Sequence, residues 1–386
     1  MKELLWQTHA EEGPENAPLS KLDPRLLLEP YGSAEVRATD LRAFIDVLEK
    51  AGRLLRVRER VDWKLGIGRW TRARHRPLLF ENIKGYRKQQ VFTNGLIDPG
   101  CIALALGFGP GTTWARLIGE TRRRLKDPVS PKMTMLGPLM DNVIPSSAID
   151  LFQFPVPKWS QYDGGRYIGT WHLNISRDPE TGDRNVGVYR MQLLGSKQAT
   201  ISASKGSDFA RHVARAEAKG RELPVAVAIG APEALVMAAG AACPKGMDEF
   251  ELAGALQQQA IDVMDCGHLE VPAYSEIVIE GFVHPNVRVE DGPYFDYYGR
   301  PNTNRDAFLF EATRVMHRDD PIFRGCAIGT PGAEDHQLFA FLAQLKLVDF
   351  HGSRLKQKVH NFLWKRRAFS ALQTVGKWSA ELRKRG

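Results

Sequence analysis

The sequence predicts a mixed α/β protein built around a barrel-like antiparallel sheet, and three observations lead there. Glycine (35) and proline (23) are abundant enough to supply many turns. From about residue 125 to 310 the chain runs through short apolar stretches separated by such turns, the pattern of closely spaced strands. Ahead of that region a capped helical segment alternates with short strand-like runs, the pattern of an α/β module.

Taken in order, residues 1–36 read as turn-rich and acidic. In DLRAFIDVLEKAGRLLRVRERV, Asp40 is a good N-cap, and Leu41, Phe44, Ile45 and Leu48 recur at helical spacing. Gly52 stops that helix, and LLRVRERV reads as a strand. RPLLFENIKGYRKQQVFTNGL gives two further strands about a turn at Lys84–Gly85. GETRRRLKDPVSPK reads as a helix end and a connector. In the centre, YIGTWHLNI, NVGVYRMQLL, QATISA, LPVAVAIG, YSEIVIEGFV and AFLFEATRVM read as strands. DEFELAGALQQQAI reads as one long helix, so one or two helices are expected within the sheet. The expected division is an N-terminal α/β domain over 1–124, a central β-barrel over 125–315, and a shortened C-terminal region with a basic tail over 316–386.

The 386 residues suffice for two or three domains, and 43% hydrophobic with 25% charged residues is ordinary for a soluble chain. No run of eighteen apolar residues exists, so no membrane span is expected, and the acidic N-terminus lacks a secretory core. Cys101, Cys243, Cys266 and Cys326 form no CxxC pair and fit a reduced, cytoplasmic chain. The formal charge is +8, but residues 351–386 hold ten Lys and Arg against one acid, Glu381. That tail carries +9 and the remainder −1, so the body lacks the basic stripe that nucleic acid requires.

Three polar clusters stand out. In RNVGVYR, regular alternation puts Asn185, Gly187 and Tyr189 on one face and Val186, Val188 and Arg190 on the other, unless Gly187 marks a bulge. Arg190 is either a solvated edge residue or a fork for a planar anion such as a carboxylate or phosphate. In VEDGPYFDYYGR, Glu290, Asp291 and Asp296 surround a Gly292–Pro293 turn among Tyr294, Phe295, Tyr297 and Tyr298. A carboxyl against such aromatics has a raised pKa and can act as an acid near neutrality; a hydrophilic turn beside core aromatics is the plainer reading. Glu249 opens a helix, where an acid suits the dipole. Alternatively, Asn185 and Glu249 are oxygen ligands of a hard cation, Mg²⁺ or Mn²⁺ rather than zinc. His172, His212, His268, His284 and His336 are isolated and read as structural. Ala203–Ser207, ASKGS, is a plausible phosphate-holding turn, whereas GFGPG at 108–112 lacks the Lys-Ser/Thr of a phosphate loop.

Together these stretches resemble the UbiD family of reversible, prenylated-flavin-dependent decarboxylases. The likeness rests on RPLLFENIKG, FPVPKWSQYDGGRYIGT, SRDPETGDRNVGVYRMQLLG, LPVAVAIGAPEA, LEVPAYSEIVIEG and EDGPYFDYYG, in order from about Asp40 to His336. It implies a central split β-barrel of flavin-reductase-like type that binds prenylated FMN. Asn185 and Glu249 would hold a divalent metal (Mn²⁺ or Mg²⁺) bridging to the cofactor phosphate, with K⁺ a further candidate ion and the third metal ligand unassigned. Val188, Tyr189 and Arg190 would line the flavin, with Ser202, Ala203, Ser204, Lys205 and Gly206 a second cofactor-contacting segment. Arg190, Asp291 and Asp296 resemble the family's carboxylate–arginine–carboxylate network, and Phe295 stands where the family has glycine.

The implied reaction is reversible, non-oxidative decarboxylation of an aromatic or α,β-unsaturated acid through a covalent prenylated-flavin adduct. Losing CO₂ from an sp² carbon leaves electrons no side chain can hold, so an organic electron sink is needed. In that scheme Arg190 orients the substrate carboxylate, Asp291 holds Arg190, and Asp296 donates the proton. Trp171, Phe295, Tyr297 and Tyr298 suggest an aromatic-lined site for small planar acids. A flavin prenyltransferase would supply the cofactor, and a homo-oligomer is expected. The basic, helix-like tail departs from the family pattern. It leaves a second reading open, a catalytically impaired subunit or interaction partner of a multi-subunit carboxylase; a plain flavin reductase is a third.

Overall fold

The computed structural model describes residues 38–348, apart from 244–246, 298 and 330–331. The acidic stretch 1–36, the basic tail and Tyr298 lie outside the described residues.

The first helix, Leu41–Lys50, starts where its cap dictates: the Asp40 side chain accepts from the Ala43 N–H at 2.7 Å. Its buried stripe is Leu41, Phe44, Ile45, Val47 and Leu48. The helix packs beside a four-stranded sheet in the order Leu55–Val57, Leu78–Phe80, Gln90–Thr93, Ile322–Arg324. The last strand comes from far along the chain, beyond the barrel, and pairs parallel to Gln90–Thr93. Arg324 at its end is fully buried between Glu233, at 2.7 Å, and Glu334, at 2.6 Å. Glu334 in turn accepts from the Asn94 and Leu96 N–H groups, so one guanidinium joins the first module, the central region and the helix Glu334–Gln344.

The central sheet is antiparallel throughout. Its order is Gln198–Ile201, Pro301–His317, Ile277–Phe295, Leu223–Ile229, His172–Arg177, Arg184–Gly187, with Asn142–Pro145 also paired to Pro301–His317. It curls into the half-barrel expected from the strand pattern. Alternation sorts its faces. Leu173, Ile175, Val186, Ala226 and Ala228 belong to one core, shared with the helices Glu233–Ala239 and Glu249–Gln257. Val225, Val227, Ile229, Ile277 and Ile279 belong to the other, into which the helix Asp208–Ala218 lowers Phe209, Val213 and Ala216. Burial on both faces explains why LPVAVAI is apolar throughout.

Three helices therefore accompany the sheet where the sequence suggested one or two. Asp208–Ala218 carries its signal in Phe209, Val213 and Ala216 at helical spacing behind the N-cap Ser207, whose side chain accepts from the Ala210 N–H. Among the described residues no helix is long and apolar enough to cross a membrane.

Candidate active site

The first candidate cluster is built at the sheet edge. Among the described residues Arg184–Gly187 pairs only with His172–Arg177, in the register Ser176↔Asn185 and Asn174↔Gly187, which leaves the Val186 N–H pointing outward. Glu249 meets it: Oε2 accepts that N–H at 3.1 Å and so comes beside Asn185. Glu249 is placed by its helix. Asp248 caps Glu249–Gln257 in a reciprocal capping box with Glu251, and Arg184 clamps Asp248 while lying 4.4 Å over the Phe250 ring.

This cluster is under-satisfied. Among the described residues the buried Asn185 Nδ2 makes no well-formed hydrogen bond, although its side chain pulls the Tyr189 hydroxyl down, and burial pushes Glu249 up to about 7 against the pull of the Val186 N–H. Among the described residues no three His, Cys, Asp or Glu side chains gather as a metal cage. A carboxylate and an amide oxygen still fit Mg²⁺ or Mn²⁺, which is commonly held by one or two side chains with phosphate and water completing the shell.

Beyond Gly187 the chain leaves the sheet, so the regular alternation expected for NVGVYR stops there. There the Tyr189 ring folds back over Gly187. A Cβ on Gly187 would lie 2.5 Å from Tyr189 Cε2. Two side chains from the neighbouring strand fix the turn. Asn174 Oδ1 accepts the Tyr189 N–H at 3.1 Å, and His172 Nε2 lies 3.0 Å from the Tyr189 carbonyl oxygen. Burial pushes His172 down to about 4, so its ring is neutral at pH 7 and the proton belongs on Nε2, donating to that carbonyl. The Tyr189 ring packs on Phe209 with centroids 5.1 Å apart, and burial raises its hydroxyl above the usual range. Val188 is half-buried in the same turn.

Arg190, at the end of this turn, answers the question its sequence context raises. Its Nε donates to Asp291 Oδ1 at 2.5 Å and one terminal nitrogen to the Asn302 carbonyl at 3.3 Å, with the guanidinium 5.6 Å from the Tyr294 ring. Asp291 is completely buried. Its other oxygen accepts from Thr200 Oγ1 at 2.6 Å. Burial raises the Asp291 carboxyl above its ordinary value, and Arg190 and Thr200 pull it back.

Asp291 sits in an irregular stretch of the long strand Ile277–Phe295. The register breaks on either side of it, so Gly292–Pro293 is a kink inside a strand rather than a turn between carboxylates. Asp296 follows the strand. Its Oδ1 accepts from the Arg300 N–H at 2.9 Å, closing the turn to Pro301. Among the described residues the Arg190 side chain donates to Asp291 and to the Asn302 carbonyl, and Asp296 has partners of its own.

The second segment is tied to the first. The Ser202 N–H donates to the Arg190 carbonyl at 3.0 Å, and Ser202 Oγ accepts from Asn304 Nδ2 at 3.0 Å. Ala203 is half-buried, while Ser204, Lys205 and Gly206 are exposed. Lys205 Nζ lies 3.5 Å from Asp306, and the Ser204 carbonyl accepts from Ser207 at the start of the next helix.

The expected aromatic wall is only partly there. Trp171 is a core residue: its Nε1 donates to Glu233 at 3.0 Å and Arg324 lies 4.9 Å over its ring, so the buried ion cluster claims it. Tyr297 packs between His336 and Phe339, and Phe295 stacks edge-on against Tyr162. A cleft of about 310 Å³ opens elsewhere, lined by Cys266, His268, Glu280, Phe282 and Arg314, and none of the candidate residues borders it. Thr200, Gln192, His172 and Asn174 shape the candidate site without any motif to announce them. Their one signal is a polar side chain within an otherwise apolar strand.

Comparison with known proteins agrees with this architecture. The family profile of the 3-octaprenyl-4-hydroxybenzoate carboxy-lyase Rift-related domain matches residues 132–331, just over half the chain, and that of the N-terminal domain of the same carboxy-lyase matches 45–121. The chain belongs to this UbiD family. Its relatives include a phenolic acid decarboxylase of Sedimentibacter hydroxybenzoicus, 34% identical over 326 residues covering 80% of this chain and 67% of that one. Another, from Streptomyces sp. (strain D7), is 31% identical over 309 residues, covering 76% and 65%. Among solved structures, the closed form of the S. hydroxybenzoicus vanillic acid decarboxylase superposes with TM-score 0.74 at 33% identity, covering 78% of this chain and 66% of that chain. An evolved dimeric form of the UbiD-class enzyme HmfF from Pelotomaculum thermopropionicum, in complex with prFMN, gives TM-score 0.72 at 29% identity, covering 80% and 71%. The matched region thus spans about two thirds of the length of these relatives.

Proposed function

We propose that this chain is a prenylated-FMN-dependent carboxy-lyase that decarboxylates a small aromatic or α,β-unsaturated acid, of the phenolic kind its relatives are named for. The observation that carries the reading is the pairing of the buried Asp291 with Arg190, at the end of the turn that follows the strand carrying Asn185. One short segment, 185–190, thereby links an under-satisfied cation and phosphate position to a fixed guanidinium.

Asn185 and Glu249 would hold Mn²⁺ or Mg²⁺ against the cofactor phosphate, and the turn Val188–Arg190 with Ser202–Gly206 would border the cofactor. When bound, the prenylated flavin supplies the electron sink that decarboxylation at an sp² carbon requires. The chain's own residues do the rest. Arg190 keeps donors beyond those given to Asp291 and Asn302, and a guanidinium presents them in the plane that matches a carboxylate. Asp291, receiving Arg190 on one oxygen and Thr200 on the other, holds the fork still. Asp296, in the turn that leads to Pro301, is the proposed proton donor to the carbon that loses CO₂. A division near residues 124 and 315, a cytoplasmic homo-oligomer and a flavin prenyltransferase as cofactor source complete the proposal.

The test is to coexpress the chain with a flavin prenyltransferase, record its visible spectrum, and screen hydroxybenzoic and other aromatic acids for CO₂ release. Flavin absorbance with CO₂ and the matching decarboxylated product support the reading. A flavin-free, inactive chain overturns it in favour of a catalytically impaired subunit.

A further inference from the structure

We infer that Thr200 is a positioning residue for Arg190, acting through Asp291. It rests on the decarboxylase reading only for what Arg190 is used for; the geometry stands by itself. Thr200 lies on the strand Gln198–Ile201 between Ala199 and Ile201, which face the inner core. Alternation turns its hydroxyl to the opposite side, where it is completely buried. Oγ1 accepts from the Gln192 N–H at 2.8 Å and donates to Asp291 Oδ2 at 2.6 Å.

These two bonds give the hydroxyl a direction. A backbone N–H can only donate, so it occupies a lone pair and leaves the hydroxyl proton for the carboxylate. Asp291 Oδ2 is then committed to Thr200, and Oδ1 is the oxygen that faces Arg190 Nε. Gln192 reinforces the arrangement from its side chain. Its Oε1 accepts from the Gly292 N–H at 2.9 Å, fixing the backbone next to Asp291, and from the Tyr167 hydroxyl at 3.0 Å. A threonine hydroxyl and a glutamine thus hold one carboxylate in a single rotamer, and that carboxylate aims the guanidinium.

Without the hydroxyl proton, Asp291 Oδ2 becomes a buried acceptor with no donor, and its charged form loses a hydrogen bond. The charged and titratable groups facing Asp291 are Arg190 and Tyr167; Asp163 acts on Tyr167 and titrates nearby, its carboxyl pushed up to about 6 by burial. The two acids must therefore be told apart.

The test is a ¹³C NMR titration of the cofactor-free chain labelled at the aspartate carboxyl carbons, with the Asp291 signal identified by its loss in Asp291→Asn and the Asp163 signal by Asp163→Asn. Thr200→Val should move the Asp291 midpoint upward by about one pH unit, and Thr200→Ser, which keeps the hydroxyl, should restore it. In the loaded enzyme, Thr200→Val should raise KM for the acid more than it lowers kcat. Should Thr200→Val not fold, Thr200→Cys, a poorer donor of similar size, takes its place with a smaller upward shift. An unmoved midpoint in the folded variant, or a Ser variant behaving like Val, overturns the inference. The predicted shift in a chain that never decarboxylates would instead retire the decarboxylase reading and leave Thr200 in its role.

Discussion

The two ends of the candidate site differ in how complete they are. At the Arg190 end the buried carboxylate is engaged on both oxygens: Asp291 receives a guanidinium on one and a hydroxyl on the other, and Gln192 and Tyr167 stand behind it. At the Asn185 end a buried amide nitrogen makes no well-formed hydrogen bond among the described residues, and burial raises the neighbouring Glu249 carboxyl to about 7. A closed network is built to hold a shape before anything binds, whereas an open one leaves polar groups whose desolvation is offset only by a ligand. The first end is therefore expected to set catalytic geometry, and the second to set cofactor retention.

Variants can separate the two. The largest expected effect is from Asp296→Asn, which should lower kcat by about 10³-fold, the worth of a proton donor, while cofactor content measured by absorbance stays unchanged. Arg190→Lys keeps the charge but not the planar fork, and should lower kcat/KM by about 10²-fold, again with cofactor retained. Glu249→Gln should do the reverse: cofactor and divalent metal content after gel filtration fall about tenfold, while activity per bound cofactor changes little. If Glu249→Gln retained full metal and cofactor, the distinction between the ends would collapse.

A smaller effect concerns the support of the Arg190 end. Asp163 accepts the Ser160 N–H at 2.7 Å, and the adjoining Gly164 N–H donates to the Pro293 carbonyl, next to the kink that carries Asp291. Burial pushes Asp163 up from 3.8 to about 6. Between those values the folded chain keeps a proton that the unfolded chain has lost, so stability falls as pH rises through that window and levels off above it. The drop is about 3 kcal/mol at most. The difference between urea midpoints at pH 4 and pH 7 should shrink in Asp163→Asn by this share, while the share of Glu249, raised in the same direction, stays.

Much of the fold was legible because its signals are local. Asp40 caps the first helix as its residue type requires, and the alternating runs become the antiparallel sheet. Topology was not legible: nothing in IFR, 322–324, announces that it returns to the first sheet, because strand pairing is decided by distant partners. In the candidate site, Arg190 and Asp291 stood out as members of two polar clusters that the family resemblance grouped together, and they meet across 101 positions of sequence. Trp171 was misplaced because an indole beside a polar stretch looks like a pocket wall, while its real partner, Glu233, is 62 residues away. The alternation ends at Gly187, the position flagged as a possible bulge, and the Tyr189 ring lies over it, a packing detail no period can show.

The most direct measurement is a crystal structure of the chain with its flavin cofactor and a divalent metal. The account predicts metal and phosphate at Asn185 and Glu249, with the flavin ring reaching the Arg190 guanidinium and Asp291 still holding it. Cofactor bound in another cleft, or a ring system that leaves Arg190 on its far side, would contradict it.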